Sequence, residues 1–368
     1  MGKFKKFLIV GVAAVALGAV LLGVVWAAGR VKPENIWALD TAIRTGQGLY
    51  ETPQKRTVTG VSETDTILLE VPSKNVTITE ADVQRVTIDY YEDFEGETVF
   101  SEEGGTLSFK LNRKNIWFNF GLEILFRSAE ENREIYTVHV KVPAGYEIKY
   151  GIKISSGNLF VTGVHARDLN AELSSGNISL SDIFAQETKL KTSSGNIGVT
   201  GLSAQGLSVE SGSGRIAVKS SQVSGGLNGI SRSGGIWLSG TNADEINMES
   251  SSGKIKFEGV TAVTATVGVI SGGFEAHGFE IQSLDAQCTS GDIVLSSAGV
   301  GDLKLKTSSG NIEVALGSNI NKYNFNLKTS SGGINIAGTK VGDSYVSLPQ
   351  DKEFNINATA SSGNIKIK

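Results

Sequence analysis

From residue 151 onward, apolar and polar positions alternate in a pattern that repeats at a fixed interval. The repeat aligns on a glycine with eleven copies: Gly157, Gly176, Gly195, Gly214, Gly234, Gly253, Gly272, Gly291, Gly310, Gly332 and Gly363. The first nine copies are 19 residues apart with one step of 20, and the last two steps are 22 and 31 residues. A fixed period of about 20 residues is typical of a solenoid.

The second and fourth residues after each glycine are apolar in every copy, as in Ile197 and Val199 after Gly195. Since successive side chains of a strand point to opposite faces, this spacing places both residues on one buried face. Each coil then turns again and enters a second alternating segment, such as LNAEL or TKLKT. The pattern therefore predicts an all-β fold, a β-solenoid with at least two strands and 19 residues in most coils.

The corner before the first strand of each coil reads SSGNI or a variant of it. The residue before the glycine is Ser in all eleven copies, and the residue after it is Asn, Gly or Asp in nine. Because those three types tolerate positive φ, we expect left-handed backbone there. We interpret the serines as hydroxyls that bond either the corner backbone or the serine one coil away, because a residue required in every coil indicates a geometric role. The structural turn residues include Ser156, Gly157, Ser175, Gly176, Ser194, Gly195, Ser309, Gly310, Ser362 and Gly363.

Strand-like segments also precede the repeats, from TILLEV at 66–71 to YTVHVKV at 136–142. Open solenoid ends recruit other strands, so both ends need a cover. We expect the apolar segment NIWFNFGLEILF to cover the first end and the insertion AGTKVGDSYVSLPQDKEF to fold over the last. The predicted organisation is a membrane anchor at 1–29, a linker at 30–56, a strand region with cap at 57–150 and the solenoid at 151–368.

The N-terminus differs from the rest of the chain. Residues 7–28 carry no charge, and a helix of 22 residues is long enough to span a bilayer core of about 30 Å. The lysines of MGKFKK precede this segment, which favours a cytoplasmic N-terminus and an extracellular C-terminal domain. We predict a single-pass protein of the cell membrane. Cleavage after Ala27 or Ala28 is the alternative.

Composition narrows the function classes. The net charge is −4, which gives no support for a nucleic-acid partner. The lone cysteine, Cys288, cannot form an internal disulfide, and no Cys partner accompanies it for a metal site. The sequence predicts no cofactor.

The strand-rich stretch that ends in VKVPAG at 140–145, followed by SSGNI repeats, resembles the bacterial putative-adhesin β-repeat family. The resemblance covers residues 60–368. It implies a right-handed β-helix-like solenoid on a cell-envelope protein, and some relatives accompany envelope-stress response systems. The family offers no catalytic residues to carry over to this chain.

Charged residues at matching coil positions are the main sign of possible chemistry. Asp168 and Glu187 both lie eleven residues after their glycines and should stack on neighbouring coils. Paired carboxylates can hydrolyse glycosides, but no base or metal partner follows these two. Glu172, Lys191 and Glu210 alternate in sign at another position, which predicts a charge ladder across the coils.

Exposed aromatic residues are the candidate interaction surface. Trp117, Phe118 and Phe120 lie in the 115–126 segment, which contacts either the first coils, lipid or a membrane partner. Trp237 stands between two inward-facing residues and should point outward, where an indole can stack on a sugar ring.

These features predict a membrane-anchored cell-surface module that binds or scaffolds without catalysis, with a cell-wall or surface glycan or another envelope protein as partner. Two alternatives stay open. One is a regulatory envelope-stress component that contacts another membrane protein through 115–126. The other is a carbohydrate-active enzyme that uses Asp168 and Glu187.

Overall fold

The computed structural model describes residues 54–61, 63–92, 97–112, 133–297, 299–316, 320–347 and 352–368. The predicted anchor and most of the predicted linker lie outside these residues. Among the residues described, none of the helices has the length and apolar character needed to cross a membrane.

The described chain consists almost entirely of strands. Strands β1–β8 are Gln54–Thr59, Thr66–Val71, Asn75–Ala81, Thr87–Glu92, Thr98–Glu103, Thr106–Leu111, Thr137–Pro143 and Ile148–Ser156. Strands β9–β25 are Leu159–Thr162, His165–Ser175, Ile178–Ser181, Phe184–Ser194, Ile197–Thr200, Ser203–Ser213, Ile216–Lys219, Gln222–Ser233, Ile236–Ser239, Asn242–Ser252, Ile255–Glu258, Thr261–Ser271, Phe274–His277, Glu280–Ser290, Ile293–Ser297, Gly299–Ser309 and Ile312–Leu316. Strands β26–β31 are Tyr323–Ser331, Ile334–Ile336, Thr339–Gly342, Ser344–Val346, Phe354–Ser362 and Ile365–Ile367. A helical turn covers 133–135, and a 3-10 turn covers Ile320–Lys322.

The strands form two large sheets, which confirms the predicted β-solenoid. The short-strand sheet has the order β1-β4-β7-β3-β9-β11-β13-β15-β17-β19-β21-β23-β25-β31-β27-β28. The long-strand sheet has the order β29-β26-β30-β24-β22-β20-β18-β16-β14-β12-β10-β8-β2-β6-β5. Each coil contributes one long and one short strand, with the glycine corner between them. The predicted boundary at residue 150 is not a break, because β2, β3, β6 and β7 extend the same two sheets.

The core lies between the two sheets and is filled in layers. The apolar positions after each glycine are buried, except Ile336 of the outermost coil, which is partly buried. Ile178 and Leu180, for example, pair in register with Ile197 and Val199 of the next coil. Each long strand bends near its start, since the buried positions are three residues apart there, as at Ala166 and Leu169. The one coil with 20 residues between successive glycines has its extra residue at this bend, where the register between β14 and β16 shifts.

The corner glycines are required by close packing. A Cβ built on Gly176 would lie 1.9 Å from the carbonyl oxygen of Gly157, and one on Gly195 would lie 2.0 Å from that of Gly176. Positive φ falls on the glycines themselves, at 137° for Gly176 and 149° for Gly195. The expectation of positive φ at the following residue is wrong, since Asp182, Ser220 and Ala337, all at other coil positions, are the non-glycine cases among the described residues.

Asparagine follows the glycine for a different reason. The backbone N–H and Nδ2 of Asn177 both donate to Oδ1 of Asn158, at 2.9 and 3.1 Å. Asn196 repeats both bonds to Asn177, at 2.8 and 3.2 Å. The side chains therefore form a hydrogen-bonded ladder along the corner, which aligns neighbouring coils.

The predicted role of the corner serine hydroxyls is also wrong. The serines before the glycines are exposed, and their side chains make no hydrogen bond with the described residues. The buried hydroxyl instead comes three residues before the glycine, where Thr192 and Ser211 donate to the carbonyls of Gly176 and Gly195 at 3.1 and 2.9 Å. A buried carbonyl that would otherwise lack a donor is satisfied in this way.

The coils do not stack in chain order at the C-terminal end. The last coil, β30–β31, pairs with β24–β25 on one side and with β26–β27 on the other. It is therefore inserted between the two coils that precede it in sequence. The insertion expected to cover this end does so in part, because β28 and β29 add antiparallel edge strands to the outermost coil.

The N-terminal end has the mirror arrangement. Strands β2 and β3 form a coil that packs on β8 and β9, while the later strands β6 and β7 form the outermost coil. Strands β5 and β4 pair antiparallel with β6 and β7 and cover the sheet edges, and β1 pairs with β4. The segment 115–126, which we expected to cover this end, lies outside the described residues.

Candidate binding surface

The outward face of the long-strand sheet carries an ordered column of charges near its N-terminal end. Six residues of alternating sign stand side by side on six adjacent strands, and we call this column the charge ladder. Its members in spatial order are Lys110, Glu70, Lys153, Glu172, Lys191 and Glu210. The structure confirms that Glu172, Lys191 and Glu210 lie in register, and it extends the alternation to three further strands.

The two ends of the charge ladder are paired. Nζ of Lys110 donates to both carboxylate oxygens of Glu70, at 2.9 and 3.0 Å. Nζ of Lys191 donates to Oε2 of Glu210 at 2.8 Å. Exposed pairs of this kind contribute only about 0.2–1 kcal/mol each, so the ladder is not a major source of stability.

The two central residues of the ladder are not paired. Lys153 and Glu172 are direct neighbours on β8 and β10. Both side chains are exposed, and neither has an ion-pair partner within 4.0 Å or a side-chain hydrogen bond among the described residues. We call these two residues the open pair, because one ammonium and one carboxylate are available there to a ligand.

The open pair lies in a surface depression of about 590 Å³, which we call the central depression. Three exposed serines, Ser155, Ser174 and Ser193, line it on consecutive strands. Their hydroxyls make no hydrogen bond with the described residues. The depression therefore offers hydroxyl, ammonium and carboxylate groups at strand spacing.

The two carboxylates of the enzyme hypothesis lie beside this surface, in a smaller depression of about 310 Å³. Asp168 and Glu187 are neighbours on β10 and β12, as the spacing predicted. Oδ2 of Asp168 is 2.8 Å from Nζ of Lys149, so its charge is balanced by an ion pair. The carboxylate of Glu187 lies over Gly206 of the next coil, where a Cβ would be 2.6 Å from Oε2. Both carboxylates are therefore held in place by contacts with neighbouring strands.

Trp237 lies on the outward face of the short-strand sheet and is half-buried. Its indole Nε1 donates to Oε2 of Glu258 at 3.2 Å. The ammonium groups of Lys219 and Lys256 are 4.9 and 5.6 Å from the ring centroid, within cation–π range. Hydrogen bonds from Lys256 and, to a smaller extent, from Trp237 lower the pKa of Glu258. The ring thus has polar partners on its own face, and sugar stacking on it stays a prediction.

Trp117, Phe118 and Phe120 lie outside the described residues. Cys288 is buried in the core, and burial raises the pKa of its thiol to about 11. Within the described parts of the chain, His, Cys, Asp and Glu form no group of three or more that could hold a metal ion.

Sequence reasoning missed Glu70 of the charge ladder because the corner between β2 and β3 lacks the glycine. It reads PSKN at 72–75, and the carbonyl of Lys74 occupies the place of a glycine carbonyl, 2.3 Å from a Cβ on Gly157. Asn75 accepts from the N–H of Asn158 at 2.9 Å, as a member of the asparagine ladder. The motif x-x-N-apolar, without Ser-Gly, would have aligned Glu70 with Lys153.

A family model described as Toastrack DUF4097 matches residues 64–227 and again residues 207–368. Among solved structures, a putative adhesin from Bacteroides fragilis is 12% identical over 87% of this chain and 100% of that chain, with a TM-score of 0.31. A putative lipid binding protein from Parabacteroides distasonis is 16% identical over 86% and 97%, with a TM-score of 0.33. A putative cell adhesion protein from Clostridium sporogenes is 9% identical over 86% and 99%, with a TM-score of 0.20. No curated protein matches the sequence significantly.

Proposed function

The chain belongs to the Toastrack DUF4097 family, and from its outward surface we propose that it is a cell-surface module that binds a partner without catalysis. The family match confirms the resemblance drawn from VKVPAG and the SSGNI repeats. The observation that carries the proposal is the central depression, where the open pair of Lys153 and Glu172 faces solvent on a rigid sheet. A preformed concave surface with a few convergent polar groups is the usual form of a binding site.

The solenoid architecture supports binding over catalysis. Inward positions are mostly apolar, whereas the outward positions of the strands away from the corner change in residue type from coil to coil. The two acids of the enzyme hypothesis are held by Lys149 and laid over Gly206, and such contacts fix side chains without activating them. A long, regular sheet instead provides a stiff scaffold for a repeating partner.

We place this module outside the cell, held by the uncharged segment 7–28. The full-length chain is then expected in the membrane pellet after alkaline carbonate extraction of cells. External protease should digest its C-terminal domain in intact cells. Release by carbonate, or protection from external protease, would contradict this location.

Binding is tested on cells that produce the full-length chain. Such cells should adhere to purified cell-wall material and to surface glycans more strongly than cells with an empty vector. A variant with Asp168→Asn and Glu187→Gln should adhere equally well, and no polysaccharide turnover should accompany adhesion. Equal adhesion with and without the protein would refute the proposed function.

A further inference from the structure

Resting on the proposed function, we propose that the central depression binds a glycan chain of zero net charge, laid across the strands. The site comprises the open pair, Lys153 and Glu172, and the serines at 155, 174 and 193. The class of ligand follows from the charges and the spacing of these groups.

The charge pattern selects against both polyanions and polycations. Lys153 and Glu172 are in register on adjacent strands, which places opposite charges about 4.8 Å apart at the backbone. A polyanion attracted by the ammonium of Lys153 would be repelled by the carboxylate of Glu172 one strand away. A polycation attracted by that carboxylate would be repelled by the ammonium. Since like charges brought together at an interface oppose binding, the favoured ligand is neutral or carries balanced charges.

The chemistry of the lining selects for hydroxyl groups. A carboxylate accepts hydrogen bonds from sugar hydroxyls, and an ammonium donates to hydroxyl and ring oxygens. Hydrogen bonds to charged groups are stronger than those between neutral groups. The serine hydroxyls can donate or accept, so they adapt to either orientation of a sugar hydroxyl.

The geometry favours a chain molecule that repeats along the rod. Ser155, Ser174 and Ser193 stand on β8, β10 and β12 and recur at the strand spacing of about 4.8 Å. One pyranose ring is about as long as one such spacing, so consecutive sugars can meet consecutive strands. A peptide would need a free sheet edge or an apolar anchor pocket. The depression is on a sheet face, and the apolar side chains of Ile154 and Leu173 that line it are buried.

The test measures retention of the detergent-solubilised full-length chain on insoluble chitin, with immobilised dextran sulfate and chitosan as anionic and cationic probes. The unmodified protein should bind chitin best. Lys153→Ala and Glu172→Gln should each raise the apparent Kd for chitin at least fivefold. The matched control is Lys306→Ala, at the same coil position far along the sheet between Gln287 and Thr359, and it should bind like the unmodified protein.

The two variants also change the net charge in opposite directions, which provides a second readout. Glu172→Gln should gain affinity for dextran sulfate, and Lys153→Ala should gain affinity for chitosan. A thermal melt by circular dichroism establishes that each variant is folded, so a loss of chitin binding cannot be assigned to unfolding.

Three outcomes would overturn the inference, and they differ in what they say about the proposed function. Unchanged chitin retention in both variants would place the glycan site elsewhere and leave the binding function standing. Cell adhesion without retention on any polysaccharide would indicate a protein partner. The absence of both retention and adhesion would refute the proposed function itself.

Discussion

Replacing a corner glycine by alanine should disrupt the solenoid locally, and Gly195 is the position at which this is clearest. The added Cβ would lie 2.0 Å from the carbonyl oxygen of Gly176 and 2.6 Å from its carbonyl carbon. A relaxed carbon–oxygen contact is about 3.4 Å, so the two corners must separate by more than 1 Å. The φ of 149° adds strain, because side chains rarely adopt it.

The magnitude follows from the hydrogen bonds that such a separation breaks. The N–H of Gly176 donates to the carbonyl of Ser194 at 2.9 Å, next to the added methyl group. The hydroxyl of Ser211 donates to the carbonyl of Gly195 at 2.9 Å. Each bond contributes about 1 kcal/mol, and overpacking with backbone strain costs about 1–3 kcal/mol more. We expect Gly195→Ala to lower the free energy of local unfolding by about 4 kcal/mol.

The assay is hydrogen exchange of the backbone amides in β10 to β15, read by mass spectrometry, because long repeat arrays need not unfold in one step. Gly198→Ala is the matched control, since its Cβ would have no neighbour closer than the carbonyl oxygen of Ile178 at 4.0 Å. That control should exchange like the unmodified protein. Equal protection in Gly195→Ala and Gly198→Ala would refute the packing argument.

Three further predictions concern the ends, the core and the pH response. Truncation of residues 352–368 should abolish exchange protection in 323–336, because the missing coil is the partner of both sheet strands there; retained protection would contradict the inserted order. Cys288 should react with a thiol reagent at pH about 8 only after unfolding, since burial raises its pKa to about 11, and rapid labelling of the native protein would exclude this. Burial raises the pKa of Glu80, but hydrogen bonds from His165 and Gly145 outweigh it and lower the pKa below 4.5. A carboxylate whose pKa is lowered on folding stabilises the fold at pH values above its pKa in the unfolded chain. This stabilisation is lost as the pH falls through its pKa in the folded protein. The urea midpoint should therefore fall on acidification below pH about 4.5, by less in Glu80→Gln than in the unmodified protein.

The interior of the solenoid could be predicted from the sequence because its constraint recurs in every coil. The positions of Ile197 and Val199 are apolar in all eleven copies, and both are buried. The same repetition predicted that Asp168 and Glu187 would be neighbours, since equal spacing from a glycine means equal position on a strand. The sequence period therefore predicts which residues pair on adjacent strands as well as the fold.

Contacts between coils could be predicted less well, since a single coil does not show which atoms its neighbour presents. The serines before the glycines recur without exception, yet their hydroxyls are exposed, and the buried hydroxyl belongs to Thr192 or its equivalents. The residue types after the glycine indicate a left-handed backbone, whereas the asparagine there forms hydrogen bonds between neighbouring coils. The open pair could not be predicted either, because whether Lys153 reaches Glu172 depends on side-chain conformations.

The inverted order of the terminal coils has a physical reason that periodicity cannot express. An outermost coil needs chain next to it in sequence that can cover its two exposed edges. Placing coil β26–β27 outermost lets β28 and β29 cover both edges before the chain returns to insert β30 and β31.

At the N-terminal end the same requirement is met in reverse order. The connection between the inner coil β2–β3 and the outer coil β6–β7 supplies β4 and β5, one for each sheet edge. Both ends therefore draw two antiparallel cover strands from the segment that joins an inner coil to an outer one. The longer spacings of 22 and 31 residues between the last corner glycines reflect this arrangement at the C-terminal end. In a solenoid of this kind, irregular spacing at an end indicates a coil inserted out of chain order.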